Sequence, residues 1–298
     1  MELQNAQSEF LKYIRLEKAF SENTFLAYKA ETGKLISSLQ KEGLITIEEV
    51  DRFHLTDFTR SLDMLQISSK SRAIAVIRSF FGFLRELELL QTNPAEFISQ
   101  PKIPRKMPVF LSEEDSRALL RTVLRTATPF YKMRDYTIIA LFLNTGIRLS
   151  ELCGIRVRDL DLITPQICIT RKGNKQAYIY LDESLVSFVK RWLKDRRGYK
   201  NSEKSDFLFL SKWGNQICGA TVIETVKKYA IFAGLVKDGG HQITPHKLRH
   251  SFGSRLLSKG ENLRTIQELL GHSSITSTQI YTHITEINLR KTIERQSI

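Results

Sequence analysis

Six residues in the second half of the chain have side chains that together could bind and cleave a phosphodiester. Two arginines, a lysine and two histidines could neutralise the phosphate and supply a proton. The sixth residue is a tyrosine, whose oxygen can attack phosphorus and form a covalent intermediate. The residues are Arg148, Lys172, His246, Arg249, His272 and Tyr281. This set predicts metal-free cutting and rejoining of DNA strands.

Each of these residues, taken singly, has an ordinary structural explanation. Tyr281 lies between polar segments, as many half-buried packing residues do. Its phenol, with an ordinary pKa of about 10, needs positive neighbours to become an effective nucleophile. Arg148 follows Gly146 at a helix break and could simply be exposed, and Lys172 falls at a predicted hairpin tip, where solvated lysines are common. The hypothesis therefore depends on the six residues occurring together.

The segment PHKLRHSF brings two of the six together. His246 and Arg249 are three residues apart, so a helix with Pro245 in its first turn would carry both on one face. His246 and His250 are four apart, which would also suit zinc. However, no glutamate follows the first histidine and no Cys or Asp cluster accompanies the pair. One phosphate could therefore sit against both side chains, although this segment taken alone fits a surface helix with solvated His and Arg better, and no metal ion is expected here.

Charge and cysteine usage indicate the partner and the compartment. Residues 1–100 contain 12 Lys and Arg against 14 Asp and Glu, whereas residues 101–298 contain 33 against 18. The excess of basic residues in residues 101–298 predicts binding to nucleic acid. The three cysteines, Cys153, Cys168 and Cys218, form no CxxC pair, which fits a reducing compartment. With no signal peptide and no apolar run long enough to span a bilayer, the sequence predicts a cytoplasmic protein without membrane contacts.

The apolar spacing predicts a four-helix N-terminal domain over residues 1–99. The helices are expected at residues 3–16, from Ser21 onward, at 47–62, and from 68–71 to the Asn93-Pro94 pair. The segment QPKIPRKMP, rich in proline and basic residues, predicts an extended linker over residues 100–109.

Residues 110–298 are expected to form the second domain. Ser112 should cap its first helix, and a second helix should cover residues 136–143 and close at 144–146. Alternating residues between 166 and 181 predict a β-hairpin with Gly173-Asn174 in its turn. Helices should resume from Ala220. The chain lacks the Gly-rich loops that bind nucleotides.

The segments TGIRLSEL, RKGNK, HKLRHSF and LLGHSSITSTQIYTH, in this order, closely resemble the tyrosine recombinase (phage integrase) family, and within it the chromosomal Xer recombinases. The resemblance also covers SENTFLAYKAE, NPAE and LSEED, and so nearly the whole chain. It implies that Arg148, His246 and Arg249 activate the phosphate and that Lys172 protonates the leaving oxygen. It further implies that His272 donates a hydrogen bond and that Tyr281 forms a 3′-phosphotyrosyl link. Related hairpins often read Gly-Lys-Gly, whereas here Arg171 precedes Lys172. The turn could therefore sit differently, and Lys175 stays a second candidate for the acid.

The resemblance also implies a fold and a set of partners. The fold is mainly α with a small β-sheet: a SAM-like four-helix core-binding domain joined to an α+β catalytic domain whose C-terminal tail docks on a neighbouring protomer. The partners are double-stranded DNA, a homo-tetramer on two sites or a hetero-tetramer with a second Xer recombinase, and a DNA translocase as activator. No cofactor is expected. Candidate DNA contacts are Lys70, Arg72, Arg78, Arg171 and Lys175.

Several alternative functions share parts of this pattern. An integrase of a phage, transposon or integron would use the same chemistry on a different target, and a type IB topoisomerase would share the nucleophile. An architectural or regulatory DNA-binding protein without activity is the non-enzymatic alternative, and the intact set of six residues argues against it.

Overall fold

The computed structural model describes residues 1–103, 110–171, 175–236 and 242–271. The chain divides into two compact units, Met1–Lys106 and Met107–Ile298. Each unit has a hydrophobic core of its own.

The first unit is a four-helix arrangement around an aromatic core. Its helices are α1 (Leu3–Leu16), α2 (Glu22–Lys41), α3 (Arg52–Ser61) and α4 (Ile67–Glu86). Phe10 of α1 packs against Phe80 of α4, with the ring centroids 5.2 Å apart. The predicted starts of α1 and α2 are confirmed, and the Ser21 hydroxyl accepts a hydrogen bond from the Thr24 N–H at the start of α2.

Two helix predictions in the first unit are wrong in their bounds. The continuous helix expected over residues 47–62 is a 3₁₀ turn, Ile47–Glu49, followed by α3, because the Asp51 carboxylate caps the N–H groups of Phe53 and His54. The helix expected to reach Asn93 ends at Glu86. Glu88 there has a φ of 58°, and the Leu89 N–H donates to the Leu84 carbonyl, which closes the helix.

The second unit surrounds a nearly fully buried helix with further helices and one small sheet. Its helices are α5 (Glu113–Thr126), α6 (Pro129–Thr145), α7 (Leu149–Gly154), α8 (Glu183–Arg196), α9 (Gly219–Phe232), α10 (Pro245–Ser258) and α11 (Leu263–Leu270). Helix α6 is the buried one, with most of its side chains in the core. The antiparallel sheet has the order β1 (Leu160–Asp161), β2 (Gln166–Arg171), β3 (Lys175–Tyr180).

Sequence predictions for this unit are confirmed at its helix caps and hairpin. Ser112 caps α5 by accepting from the Asp115 N–H at 3.0 Å. The predicted hairpin is the pair β2 and β3, with Arg171 opposite Lys175, while its predicted turn residues lie outside the described residues. The helix expected at 136–143 begins earlier, at Pro129, because a proline suits the first helical position.

A small apolar cluster attaches α11 to α10. Its members are Phe252, Leu257, Ile266 and Leu270. Because α11 has only eight residues, it would be marginal in isolation, and this packing has to stabilise it. Within the described ranges, no helix is both long and apolar enough to cross a membrane.

Candidate active site

Three arginines converge on the end of α11, immediately before His272. The last carbonyls of a helix lack an N–H partner within the helix. Here the main-chain oxygens of residues 268–271, which we call the carbonyl terminus, accept hydrogen bonds from guanidinium groups. The donors are three arginines, which we call the arginine cluster. Arg171 donates to the carbonyls of Glu268 and Leu269, Arg249 to that of Leu270, and Arg148 to that of Gly271. Positive groups are favourable at this negative end of the helix dipole.

Arg148 is held at the start of α7 by a buried carboxylate. Its main-chain N–H and its Nη1 donate to the two carboxylate oxygens of Glu151, each at 2.8 Å. The Glu151 side chain is only 4% exposed, whereas that of Arg148 is 36% exposed. Glu151 therefore fixes one side of the guanidinium and leaves part of it accessible. The sequence-based prediction missed Glu151, although an acid three residues after a helix cap is a recognisable signal.

Arg249 is buried between the ends of two helices. Its Nη1 donates to the Gly146 carbonyl at the end of α6, and its Nη2 to the Leu270 carbonyl. Gly146 has a φ of 62°, and a Cβ there would lie 2.6 Å from side-chain atoms of both Leu270 and Phe252. A glycine is thus required for α6 to approach α10 and α11 closely enough for this arginine to link them.

His246 lies beside the arginine cluster, one helical turn before Arg249. Thr244 caps this helix and Pro245 takes its first position, as predicted for the proline. The ring of His246 is partly open to solvent, and its Nε2 lies 2.9 Å from Nε2 of His250. Surrounding protein atoms lower the pKa of His246 by desolvation, and the charges of Arg249 and Arg148 lower it further. The structure therefore brings Arg148, His246 and Arg249 together.

The other three predicted catalytic residues, Lys172, His272 and Tyr281, lie outside the described residues. Lys175, the second candidate for the acid, is exposed at the start of β3.

The candidate DNA contacts of the first unit lie on α4 but do not share one face. At about 100° per residue, Lys70 and Arg72 point roughly 160° apart. Lys70 pairs with Asp63, and Nη2 of Arg72 lies 3.6 Å from the buried carboxylate of Glu31. Arg78 is exposed. Contact of these residues with DNA stays a prediction.

In residues 1–103, 110–171, 175–236 and 242–271, no three His, Cys, Asp or Glu side chains are grouped as a metal site. Burial, and then the neighbouring Cys218, raise the pKa of the Cys153 thiol to about 11, which keeps it protonated near neutral pH.

Two family models match the chain. Residues 110–287 match the phage integrase family, and residues 8–87 match the phage integrase N-terminal SAM-like domain. Tyrosine recombinase XerD of Chlorobaculum tepidum is 36% identical over 279 residues, which cover 92% of this chain and 90% of the relative. Tyrosine recombinase XerC of Thermodesulfovibrio yellowstonii is 35% identical over 284 residues, which cover 93% and 91%.

Solved structures have the same fold. A crystal structure of XerA recombinase is 26% identical, with a TM-score of 0.55 over 100% of this chain and 99% of that one. XerH bound to a palindromic difH substrate, in a post-cleavage complex, has a TM-score of 0.76 at 23% identity, over 96% and 84%. The predicted fold class, mainly α with a small sheet, is confirmed. The chain belongs to the phage integrase family and is a site-specific tyrosine recombinase.

Proposed function

We propose that this recombinase acts on double-stranded DNA through a 3′-phosphotyrosyl intermediate, in the manner of an Xer recombinase that resolves chromosome dimers at a dif-like site. The observation that supports it best is that Arg148, from the start of α7, meets His246 and Arg249, both from α10, beside the end of α11. The relatives named XerC and XerD favour this role over that of a mobile-element integrase, which would use the same chemistry.

The charges of the site suit a phosphodiester. Arg148 and Arg249 carry two positive charges, and the carboxylate of Glu151, which bonds to Arg148, offsets one of them. The carbonyl terminus orients the guanidinium groups, but its dipoles carry no net charge. A phosphate in contact with Arg148 and Arg249 would compensate the excess charge, and the same contacts would strengthen as charge develops on the phosphate oxygens during attack.

His246 would bind the same phosphate. Its lowered pKa makes the neutral imidazole the main form at neutral pH, so that one ring nitrogen can donate a hydrogen bond to a phosphate oxygen. An anion beside the ring would oppose the effect of the arginines and raise the pKa again. His246 therefore does not have to be protonated before DNA binds.

The reaction follows from these assignments. The Tyr281 hydroxyl loses its proton to water as its oxygen attacks phosphorus, the bond from phosphorus to the 5′ oxygen breaks, and Lys172 gives a proton to that oxygen, with His272 donating a hydrogen bond to the phosphate. The phosphotyrosyl bond conserves the energy of the phosphodiester, so a 5′ hydroxyl from another duplex can reverse the steps without ATP or a metal ion. Four strand exchanges require four protomers, either as a homo-tetramer or as a hetero-tetramer with a second recombinase. The proposed activator is a DNA translocase, and the proposed location is the cytoplasm.

The proposed domain roles follow the same scheme. Residues 1–99 would clamp one face of the DNA through Lys70, Arg72 and Arg78. Residues 110–298 would close on the other face and carry the chemistry, with residues 100–109 as the linker between them. Phosphate contacts would supply most of the affinity.

The test is a nicked suicide duplex carrying a candidate site, analysed on a denaturing gel. We expect a covalent protein–DNA species from the wild type and none from Tyr281→Phe, which keeps the ring and loses only the attacking oxygen. Tyr281→Phe should still shift the same duplex in a native gel. An undiminished adduct in this variant would show that another residue is the nucleophile.

A further inference from the structure

Arg171 ends strand β2 and reaches across to α11. Its Nη2 donates to the Leu269 carbonyl at 3.1 Å, and its Nη1 lies 3.5 Å from the Glu268 carbonyl. The sequence suggests this arginine as a DNA contact, but here its guanidinium faces main-chain oxygens of its own protein. Two carbonyls and the helix dipole together make this a favourable position for a positive charge.

The contact between Arg171 and Gly271 is close. A Cβ on Gly271 would lie 2.3 Å from Nη1 of Arg171 and 2.5 Å from its Cζ, so any larger residue would displace the guanidinium. The Nε of Arg171 is buried and donates to no acceptor in the described part of the chain. A loosely held surface arginine would turn this N–H to water, so the side chain is confined between the hairpin and the end of α11.

We propose that Arg171 is a positioning residue that ties the β2–β3 hairpin to the end of α11. The inference rests on the proposed function, in which Lys172 and His272 serve the same phosphate. Lys172 is the next residue after Arg171, and His272 is the next after Gly271. Because consecutive Cα atoms are only about 3.8 Å apart, a contact between Arg171 and Gly271 restricts how far those two residues can separate.

The same contact aligns the hairpin with the other two arginines. Arg148 and Arg249 bind the following two carbonyls of the carbonyl terminus, so the three guanidinium groups share one short stretch of main chain. Releasing Arg171 would leave Arg148 and Arg249 on the end of α11 and remove the contact of the hairpin with that end. The expected defect is therefore specific to proton donation by Lys172, and phosphate binding should be retained.

The experiment compares Arg171→Ala and Arg171→Lys with wild type. Arg191→Ala serves as the matched control, because it removes one exposed positive charge from α8. Each protein is assayed for half-site affinity over a range of salt and for cleavage of a nicked suicide duplex. A second duplex carries sulfur in place of the bridging 5′ oxygen at the scissile phosphate. Its leaving group departs as a thiolate and needs no proton, so its cleavage does not depend on the general acid.

We expect Arg171→Ala to cleave the oxygen substrate about 100-fold more slowly than wild type, the loss typical of a misplacement of about 1 Å. Its affinity and salt dependence should match those of the Arg191→Ala control, and the sulfur substrate should be cleaved at nearly the wild-type rate. Arg171→Lys should show a smaller loss, of about 10-fold, because an ammonium can bind one carbonyl but lacks the fork of a guanidinium.

Three results would overturn the inference. One is an Arg171→Ala variant that cleaves the oxygen substrate as fast as wild type. Another is weaker binding with a salt slope reduced by about 0.9, which would show that Arg171 contacts a DNA phosphate. The third is an equal loss on both substrates, which would show that Lys172 is not what the contact positions. If Arg171→Ala fails to fold, Arg171→Lys decides. Slower cleavage of the oxygen substrate with nearly wild-type cleavage of the sulfur substrate supports the inference, and wild-type cleavage of the oxygen substrate refutes it.

A failure of the proposed function would look different. In that case the wild-type protein itself would form no adduct, or Tyr281→Phe would form one. Both results concern the nucleophile and are independent of Arg171.

Discussion

Replacing Gly146 by alanine should destabilise the second unit more than a backbone effect alone would. Gly146 has a φ of 62°, and the left-handed conformation costs a residue with a Cβ about 1–2 kcal/mol. The new methyl group would also lie 2.6 Å from atoms of Leu270 and Phe252, and overpacking of this kind costs about 1–3 kcal/mol. The sum is about 2–5 kcal/mol, which would lower the unfolding midpoint by about 5–15 °C in a unit of this size.

Tryptophan fluorescence can measure this loss in the whole protein. Both tryptophans, Trp192 and Trp213, lie in the second unit, so their signal reports its unfolding. The matched control is Gly234→Ala, since Gly234 has a φ of 68° but a Cβ there would meet no atom of the described residues within 4 Å. The control should lose only the backbone contribution, about 1–2 kcal/mol. If Gly146→Ala loses no more than Gly234→Ala in urea melts, the close contact of α6 with α10 and α11 is refuted.

Three further outcomes are expected. Strand cleavage should continue in excess chelator without added nucleotide. Cleavage that stops in chelator and returns when a divalent ion is added would contradict the mechanism. Because the folded site lowers the pKa of His246, the unfolded chain binds that proton more tightly, so stability should fall as the pH drops below about 6.5. His246→Gln should reduce the difference between tryptophan-monitored melts at pH 7.5 and 5.5, and an unchanged difference would argue against the lowered pKa. Ending the chain after Glu286 should leave half-site binding intact and abolish cooperative filling of the full site and recombination, because an apolar stripe containing Ile287 and Ile293 would no longer dock on a neighbour. Mobility shifts on half and full sites measure this, and cooperative binding by the truncated protein would show that the tail acts within its own protomer.

The helix starts that carry a serine cap were predicted well because their signals are local. The hydroxyls of Ser21 and Ser112 bond to N–H groups three residues ahead, so residue type and spacing are sufficient evidence. Helix ends were predicted less well. Apolar residues continue beyond Glu86, but Leu87 is 52% exposed, and the chain turns there through the left-handed conformation of Glu88. Nothing in the residue types around Glu88 favours that conformation.

The sequence identified basic residues that the structure brings together, and it missed the groups that accept their hydrogen bonds. Arg148, His246 and Arg249 were identified from their types and their surrounding segments, and the structure places them together. Arg171 was assigned to DNA, because residue type alone cannot reveal that a guanidinium faces a helix end. The carbonyl terminus was invisible to sequence reasoning, since every residue has a main-chain oxygen and only the fold decides where those oxygens converge.

Because of that convergence, the residues that supply the acceptors and those that supply the donors should respond differently to mutation. The acceptors for Arg148, Arg171 and Arg249 are main-chain oxygens, which no substitution in α11 can delete. Exposed side chains of α11, such as Arg264, should therefore vary freely, provided that the helix still ends at Gly271. Each arginine, by contrast, has no substitute with the same planar fork of donors. Substitutions at the exposed positions of α11 should be silent for catalysis, whereas replacement of any of the three arginines should not be.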